Sequence, residues 1–301
     1  MRARLAFALG GGGVRGLANI GVIRALGEHG IVPEIVTGTS MGAIVGSIYA
    51  DTLDIERTET TIKGYLSSEE FLEKARSLSL SSEMDKGFFE RAYGKAKKGY
   101  FFYRFLFRKS VVSPEVFVLE LDRIIPDKDF TQLKIPFACM ALDLVSGYSE
   151  ILHSGSIRPA VRASSAVPGI LPPVRIANRV FVDGGWVERV PISAARALGG
   201  RFVVGVDVSR EIGPINYDQE IRNSMDIMFR ADDIARGLMN TFRTRDADFV
   251  IHPDVGDADW SDFDRIDTYI TAGYTAAIEA LPALKKALRF RRVFPFSWKR
   301  R

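Results

Sequence analysis

Gly38-Thr39-Ser40-Met41-Gly42 is a G-x-S-x-G pentapeptide set between a short apolar run, Glu34-Ile35-Val36-Thr37, and a stretch of small and apolar residues from Ala43 to Ala50. A serine on such a sharp strand-to-helix turn holds its hydroxyl above the sheet. The flanking glycines let the backbone turn and keep side chains out of a substrate's way. Ser40 is therefore the candidate nucleophile, and acyl transfer is the chemistry it would do. A serine hydroxyl is weak by itself and needs a general base within hydrogen-bond reach. Asp183 is the favoured base: Arg179-Val180-Phe181-Val182-Asp183-Gly184-Gly185 sets a carboxylate at the end of a β-prone run, before two glycines that leave it accessible. An Asp-Gly pair in a hairpin turn is the alternative reading of that dipeptide.

Histidine offers fewer options, with only His29, His153 and His252 in the chain. His29 closes the first helical pattern, where a cation suits the helix dipole. His153 follows a strand-like run. His252 ends the run Phe249-Val250-Ile251, and Ser40, Asp183 and His252 would follow the chain order of an α/β-hydrolase triad. That triad normally has a later elbow, without oxyanion glycines on the first strand.

Upstream, Leu5-Ala6-Phe7-Ala8-Leu9 reads as a buried strand and runs directly into Gly10-Gly11-Gly12-Gly13, after which Val14 to Leu26 has helical spacing of its apolar residues. Main-chain N–H groups of these four consecutive glycines, aimed from a loop at a helix N-terminus, can bind an anion or the developing negative oxygen of an acyl-transfer transition state. The N–H of Met41, next to the nucleophile, would join them. Gly11, Gly13 and Gly16 also satisfy G-x-G-x-x-G, but a dinucleotide site expects an acid closing the second strand. Here Glu34 precedes that strand and the serine elbow occupies its far end. A phosphate-binding P-loop is the weaker reading still, because no Gly-Lys-Ser or Gly-Lys-Thr follows the glycines.

These loops need a sheet to hold them. Residues 1–50 alternate strand, helix, strand, helix, which predicts an α/β sheet covered on both faces. At 301 residues and 47% hydrophobic content the chain can bury a substantial core. Core strands are expected again at Pro136 to Leu144, at Ser149 to His153 and at Arg201 to Val208. The single cysteine, Cys139, lies in an apolar run and reads as buried filler. No metal-ligand cluster or calcium-loop spacing is visible, and no cofactor is expected. No apolar run approaches the length of a membrane span, so a cytoplasmic protein, soluble or peripheral at the inner membrane face, is expected.

The composition predicts one catalytic domain over 1–284, a helical insertion at about 54–129, and a basic tail over 285–301. Within the insertion, residues 86–109 combine eight Lys or Arg with nine aromatics and one acid, Glu90. The formal net charge is +4, and the eight cations of the tail leave −4 on the residues before it. Phe290, Phe294, Phe296 and Trp298 interleave with those cations, a pattern suited to an anionic membrane surface. No nucleic-acid-binding motif accompanies it.

In this order, Gly11-Gly12-Gly13-Val14-Arg15-Gly16, Gly38-Thr39-Ser40-Met41-Gly42 and Asp183-Gly184-Gly185 resemble the three signature blocks of the patatin-like phospholipase family. Ala163 to Pro173 is similar to the Ala-Ser-x-Ala-x-Pro segment that such proteins carry before the aspartate. The resemblance spans roughly residues 4–280 and is nearest to compact bacterial members. It implies a three-layer α/β/α patatin-like fold with a mostly parallel central sheet and an inserted helical cap. It further implies a Ser40-Asp183 dyad, oxyanion glycines at Gly11, Gly12 and Gly13, and a basic position, Arg15, for anion contact. Where the family often has Asp, this chain has Gly10. The expected activity is serine-dependent hydrolysis of phospholipid or lysophospholipid esters through an acyl-enzyme. A membrane-associated scaffold of the same fold with little turnover is the alternative from another class.

Overall fold

The computed structural model describes residues 4–71, 108–110, 112–210, 212–221, 223–256 and 265–293. Its centre is one eight-stranded sheet. The strands are β1 (Leu5–Leu9), β2 (Ile35–Gly38), β3 (Phe137–Asp143), β4 (Ser149–Leu152), β5 (Val174–Ile176), β6 (Arg179–Asp183), β7 (Phe202–Val206) and β8 (Phe249–Ile251). The path of hydrogen-bonded strands runs β5-β6-β3-β2-β1-β7-β8, with β4 also paired to β3. The run from β3 through β2, β1 and β7 to β8 is parallel, whereas β4, β5 and β6 enter by antiparallel pairing.

Alternation along each strand sorts the layers. Phe7, Leu9, Val36, Phe137, Cys139, Val204 and Val206 point into the main core. There they meet α1 (Ala18–Glu28), α2 (Met41–Thr52), α3 (Ile55–Leu66) and the long α9 (Ile266–Val293). The opposite face carries Ala6, Ala8, Ile35 and Val203, packed with Val190 and with Ile192 and Ala195 of α6 (Ile192–Ala197). Large side chains on one face and alanines on the other give a thick layer and a thin one, an α/β/α arrangement set by the period of two.

Local signals account for the helix starts. Asp54 caps α3 by accepting from Arg57 N at 2.9 Å, and Ser113 caps α4 (Pro114–Asp122) in front of a proline at its first position. Two expected boundaries shift. Ile62 and Leu66 of α3 lie in the main core, so the beginning of the expected insertion belongs to the body of the fold. At the other end α9 continues through Pro282 and past 284 to Val293, with Ala287 and Leu288 carrying the apolar period onto the core. Of the cap expected at about 54–129, residues 72–107, which include the basic-aromatic stretch from 86, and residue 111 lie outside the described residues, as do those after Val293. Among the described residues no helix is long and apolar enough to cross a membrane.

Candidate active site

β1 and β2 are parallel neighbours, so the glycine loop after Leu9 and the elbow after Gly38 leave the sheet at the same end. β3 brings in the third loop. β4 pairs with Cys139 to Leu142 on one edge of β3, while β2 pairs with Phe137 to Cys139 and β6 with Ala141 to Asp143. A strand has two edges, so β2 and β6 share the other one, running towards each other. Gly38 is in register with Cys139 and Asp183 with Ala141. Two residues along a strand span ~7 Å, so the ends of β2 and β6 face each other across a short gap. Residues far apart in the chain, Ser40 and Asp183, meet there.

The turn at Ser40 is strained. Its φ is 54° and ψ is −124°, a left-handed conformation for a residue with a Cβ. Hydrogen bonds hold it: Gly42 N donates to Thr39 O at 2.9 Å, Ala43 N donates to Ser40 O at 2.8 Å, and Ser40 N donates to the hydroxyl of buried Ser164 at 3.1 Å. The flanking glycines are required by contact. A Cβ on Gly38 would run into the Gly42 carbonyl, and one on Gly42 into the Leu9 carbonyl.

Asp183 is 4% exposed and its Oδ1 accepts from Gly185 N at 2.7 Å. Burial pushes its carboxyl up to about 6. The Gly185 N–H, the Ser40 hydroxyl, and the nearby Arg189 and Arg236 guanidinium groups restrain that rise by favouring the charged form. The aspartate lies at the start of a short 3-10 turn rather than in a hairpin turn; the β5–β6 hairpin turns earlier, at positive-φ Ala177.

The segment after Asp183 is stitched to the elbow and to the glycine loop. Thr39 Oγ1 donates to Glu188 O at 3.1 Å and Thr37 Oγ1 to Pro191 O at 3.0 Å. Gly11 N donates to Arg189 O at 3.0 Å. That bond removes Gly11 from the expected set of oxyanion donors, because its single N–H is already committed. Among the described residues the N–H groups of Gly12, Gly13 and Met41 have no main-chain acceptor, and Met41 opens α2, where the helix dipole favours negative charge. The amide of fully buried Asn19 fixes the loop by donating to Gly10 O at 3.0 Å and Gly16 O at 2.7 Å. Arg15 Nε donates to Gly12 O at 3.1 Å, bracing the same loop from its outer side.

His252 lies elsewhere. Its side chain is 65% exposed and its Nδ1 is 3.8 Å from Oδ2 of Asp207, the residue after β7. Asp207 is in turn held by the amide of Asn240 at 2.8 Å. Asn240 and Arg236 both project from α8 (Ser224–Thr244), where Arg236 lies 4.5 Å over the Trp186 ring and pairs with Asp232 and Asp233. Sequence reasoning passed over Arg189, Arg236, Asn240 and Ser164. Ser164 stood inside the quoted Ala163–Pro173 segment, and Arg189 only six positions after Asp183. Arg236 and Asn240 share one face of a helix, a signal that spacing alone offered. Among the described residues no group of three or more His, Cys, Asp or Glu is arranged for a metal ion.

Fold and site together define the class: a strand-turn-helix serine beside a buried carboxyl, at the end of a largely parallel sheet covered on both faces. The chain belongs to the patatin-like phospholipase family, whose sequence profile matches residues 7–196. It is 28% identical over 210 residues to patatin-like phospholipase domain-containing protein 6 of Mus musculus, covering 69% of this chain and 14% of that one. It is 25% identical over 285 residues to lysophospholipase NTE1 of Scheffersomyces stipitis, covering 92% and 15%. The chain thus spans about one seventh of these curated relatives. Among solved structures, VipD from Legionella pneumophila shares the fold, with a TM-score of 0.50 at 15% identity over 94% of this chain and 67% of that one.

The raised Asp183 carboxyl has a consequence for stability. A group with its folded pKa near 6 and an unfolded value near ~3.9 favours the fold while protonated, and that contribution is lost as pH rises through about 6. The displacement amounts to ~3 kcal/mol against the charged form. Asp183→Asn keeps the acceptor for Gly185 N without the charge. Denaturant titrations should show it more stable than the native chain by up to ~3 kcal/mol at pH 8, with the gap closing towards pH ~4. A gap that does not change with pH would contradict the assignment.

Proposed function

We propose that the protein is a serine lipid acyl hydrolase that cleaves carboxylic esters of phospholipids or lysophospholipids through a Ser40-Asp183 dyad. The observation that carries this reading is the pairing of a strained serine hydroxyl with a carboxyl pushed up to about 6 by burial. An ordinary aspartate is a poor base near neutrality, whereas one titrating near 6 stays ionised at pH 7 and has more affinity for a proton. Ser40 Oγ attacks the ester carbonyl carbon while its proton passes to Asp183. The tetrahedral oxyanion is received by the N–H groups of Gly12, Gly13 and Met41, and loss of one such donor typically costs ~10² to 10³ in turnover. The carbonyl re-forms as the C–O bond to the glycerol oxygen breaks, and that oxygen leaves with the proton from Asp183. Water then attacks the acyl-serine, giving its proton to Asp183, and the fatty acid departs as Ser40 Oγ recovers a proton.

Arg189 sets a guanidinium group beside the dyad, which suits a substrate carrying a phosphodiester, whereas Arg236 is already paired with Asp232 and Asp233. The names of the relatives, a patatin-like phospholipase domain protein and a lysophospholipase, support the same substrate class. Contact with a bilayer would be peripheral.

Two measurements test the reading. A fluorophosphonate probe should label the native chain and fail to label folded Ser40→Ala; labelling that survives the substitution removes Ser40 as the nucleophile. With a soluble short-chain ester, kcat/KM should fall as pH drops through about 6, as Asp183 takes up its proton. His252→Ala should keep both the activity and that acid limb. Loss of either would return the catalytic base to the Ser40-Asp183-His252 triad.

A further inference from the structure

Seven of the eighteen exposed large hydrophobic side chains among the described residues fall in α8. At ~3.6 residues per turn, Ile227, Ile234, Leu238 and Phe242 line up with Met228 and Met239 as one stripe along the helix. Met228 is 65% exposed, Leu238 59% and Phe242 60%. Exposed Ala231 and Ala235 continue the stripe without interruption. The opposite side of the same helix carries the polar contacts to the protein: Asn240 holds Asp207 and Ser209, and Arg236 covers Trp186 and pairs with Asp233 and with Asp232 at the stripe's edge, while Phe229, the seventh exposed hydrophobic, lies on this side. A surface helix normally buries its apolar stripe and exposes its polar side. α8 does the reverse.

We propose that this stripe is the surface by which the protein docks on an anionic lipid bilayer, with α8 lying in the interface plane. The proposal rests on the lipid-hydrolase reading in one respect, the placement of the site. The polar side of α8 contacts the loops after β6 and β7, next to Asp183, so a bilayer seated on the apolar side brings ester substrate to the end of the sheet where Ser40 stands. Charge supports the choice of occupant. Asp232 and Asp233 are engaged by Arg236, while Arg230, which also donates to Gly213 O, and Arg243 lie at the two borders of the stripe. Arg245, just beyond, lies 5.0 Å over the Phe242 ring. An apolar sector with arginines at its borders matches acyl chains beneath anionic headgroups, and each cation adds to the attraction.

The test uses full-length Ser40→Ala protein, so that binding is read without turnover. Co-sedimentation with vesicles of phosphatidylcholine and phosphatidylglycerol should weaken ~10-fold or more when Leu238→Glu and Phe242→Glu are added, since two apolar anchors are lost. Leu119→Glu, at an exposed site on α4, should have no such effect. In a size-conserving second variant, Phe242→Trp, tryptophan emission should gain a component quenched by vesicles with brominated acyl chains. Equal vesicle binding with and without the glutamates, or no added quenching, overturns the proposal. So does a native dimer in light scattering that the two glutamates dissociate, which would assign the stripe to a second copy of this chain. Hydrolysis of a soluble short-chain ester by the Ser40 form should be unchanged by the two glutamates. If the native chain fails to hydrolyse that ester, the enzymatic reading falls while the vesicle result stands independently.

Discussion

The shared edge of β3 is the constraint on which the rest of the site depends. One strand edge accepts β2 from one direction and β6 from the other, and the two partners must stop where they meet. Their ends are Gly38 and Asp183, so a turn that projects a serine and a turn that projects a carboxylate come within reach through main-chain pairing alone. The side chains then need little further guidance. Thr37, Thr39 and Ser164 hold the remaining freedom by hydrogen bonds that cross between segments more than a hundred residues apart. Removing the pairing of β6 would move Asp183 without touching any residue of the elbow.

Two opposing tendencies meet at Asp183. Burial disfavours its charge, while a main-chain N–H, the serine hydroxyl and two guanidinium groups favour it. The balance comes to rest near 6, between an ordinary carboxylate and a neutral acid. Arg189 is subject to the same physics with the sign reversed: burial, and then the like charge of Arg236, lower its pKa, while Asp207, Asp233 and Asp183 raise it. The site is thus a small array of desolvated charges, each restraining another. The backbone strain at Ser40 belongs to the same economy, because the hydrogen bonds and close glycine contacts around it leave the turn no relaxed alternative.

α8 connects this interior to the surface. Its inner side completes the charge array around Trp186 and Asp207, which leaves the apolar residues on the outside. An alanine-rich inner side would let the helix rotate its apolar residues inward, but Asn240 and Arg236 have fixed partners and prevent it. The exposed stripe is therefore tied to the geometry of the site rather than to a defect of packing.

Much of the architecture was legible in local pattern. Buried apolar runs gave the strands, turn glycines marked the loops, and the G-x-S-x-G spacing predicted a tight turn that does exist, with φ of 54° at Ser40. Such features are local, and a period of two or a glycine beside a serine needs no knowledge of the distant chain. What the chain order could not provide was the register. Nothing near Gly11 foretells that its N–H is taken by the Arg189 carbonyl, or that His252 pairs with Asp207. The run of α9 to Val293 was not legible for the same reason, since Ala287 and Leu288 are held by a core that only the assembled sheet creates. Residue types and spacings determined which groups have chemical potential here. Their partners, their desolvation and the outward turn of α8 were decided by tertiary structure, because burial and long-range hydrogen bonds exist only once the strands have paired.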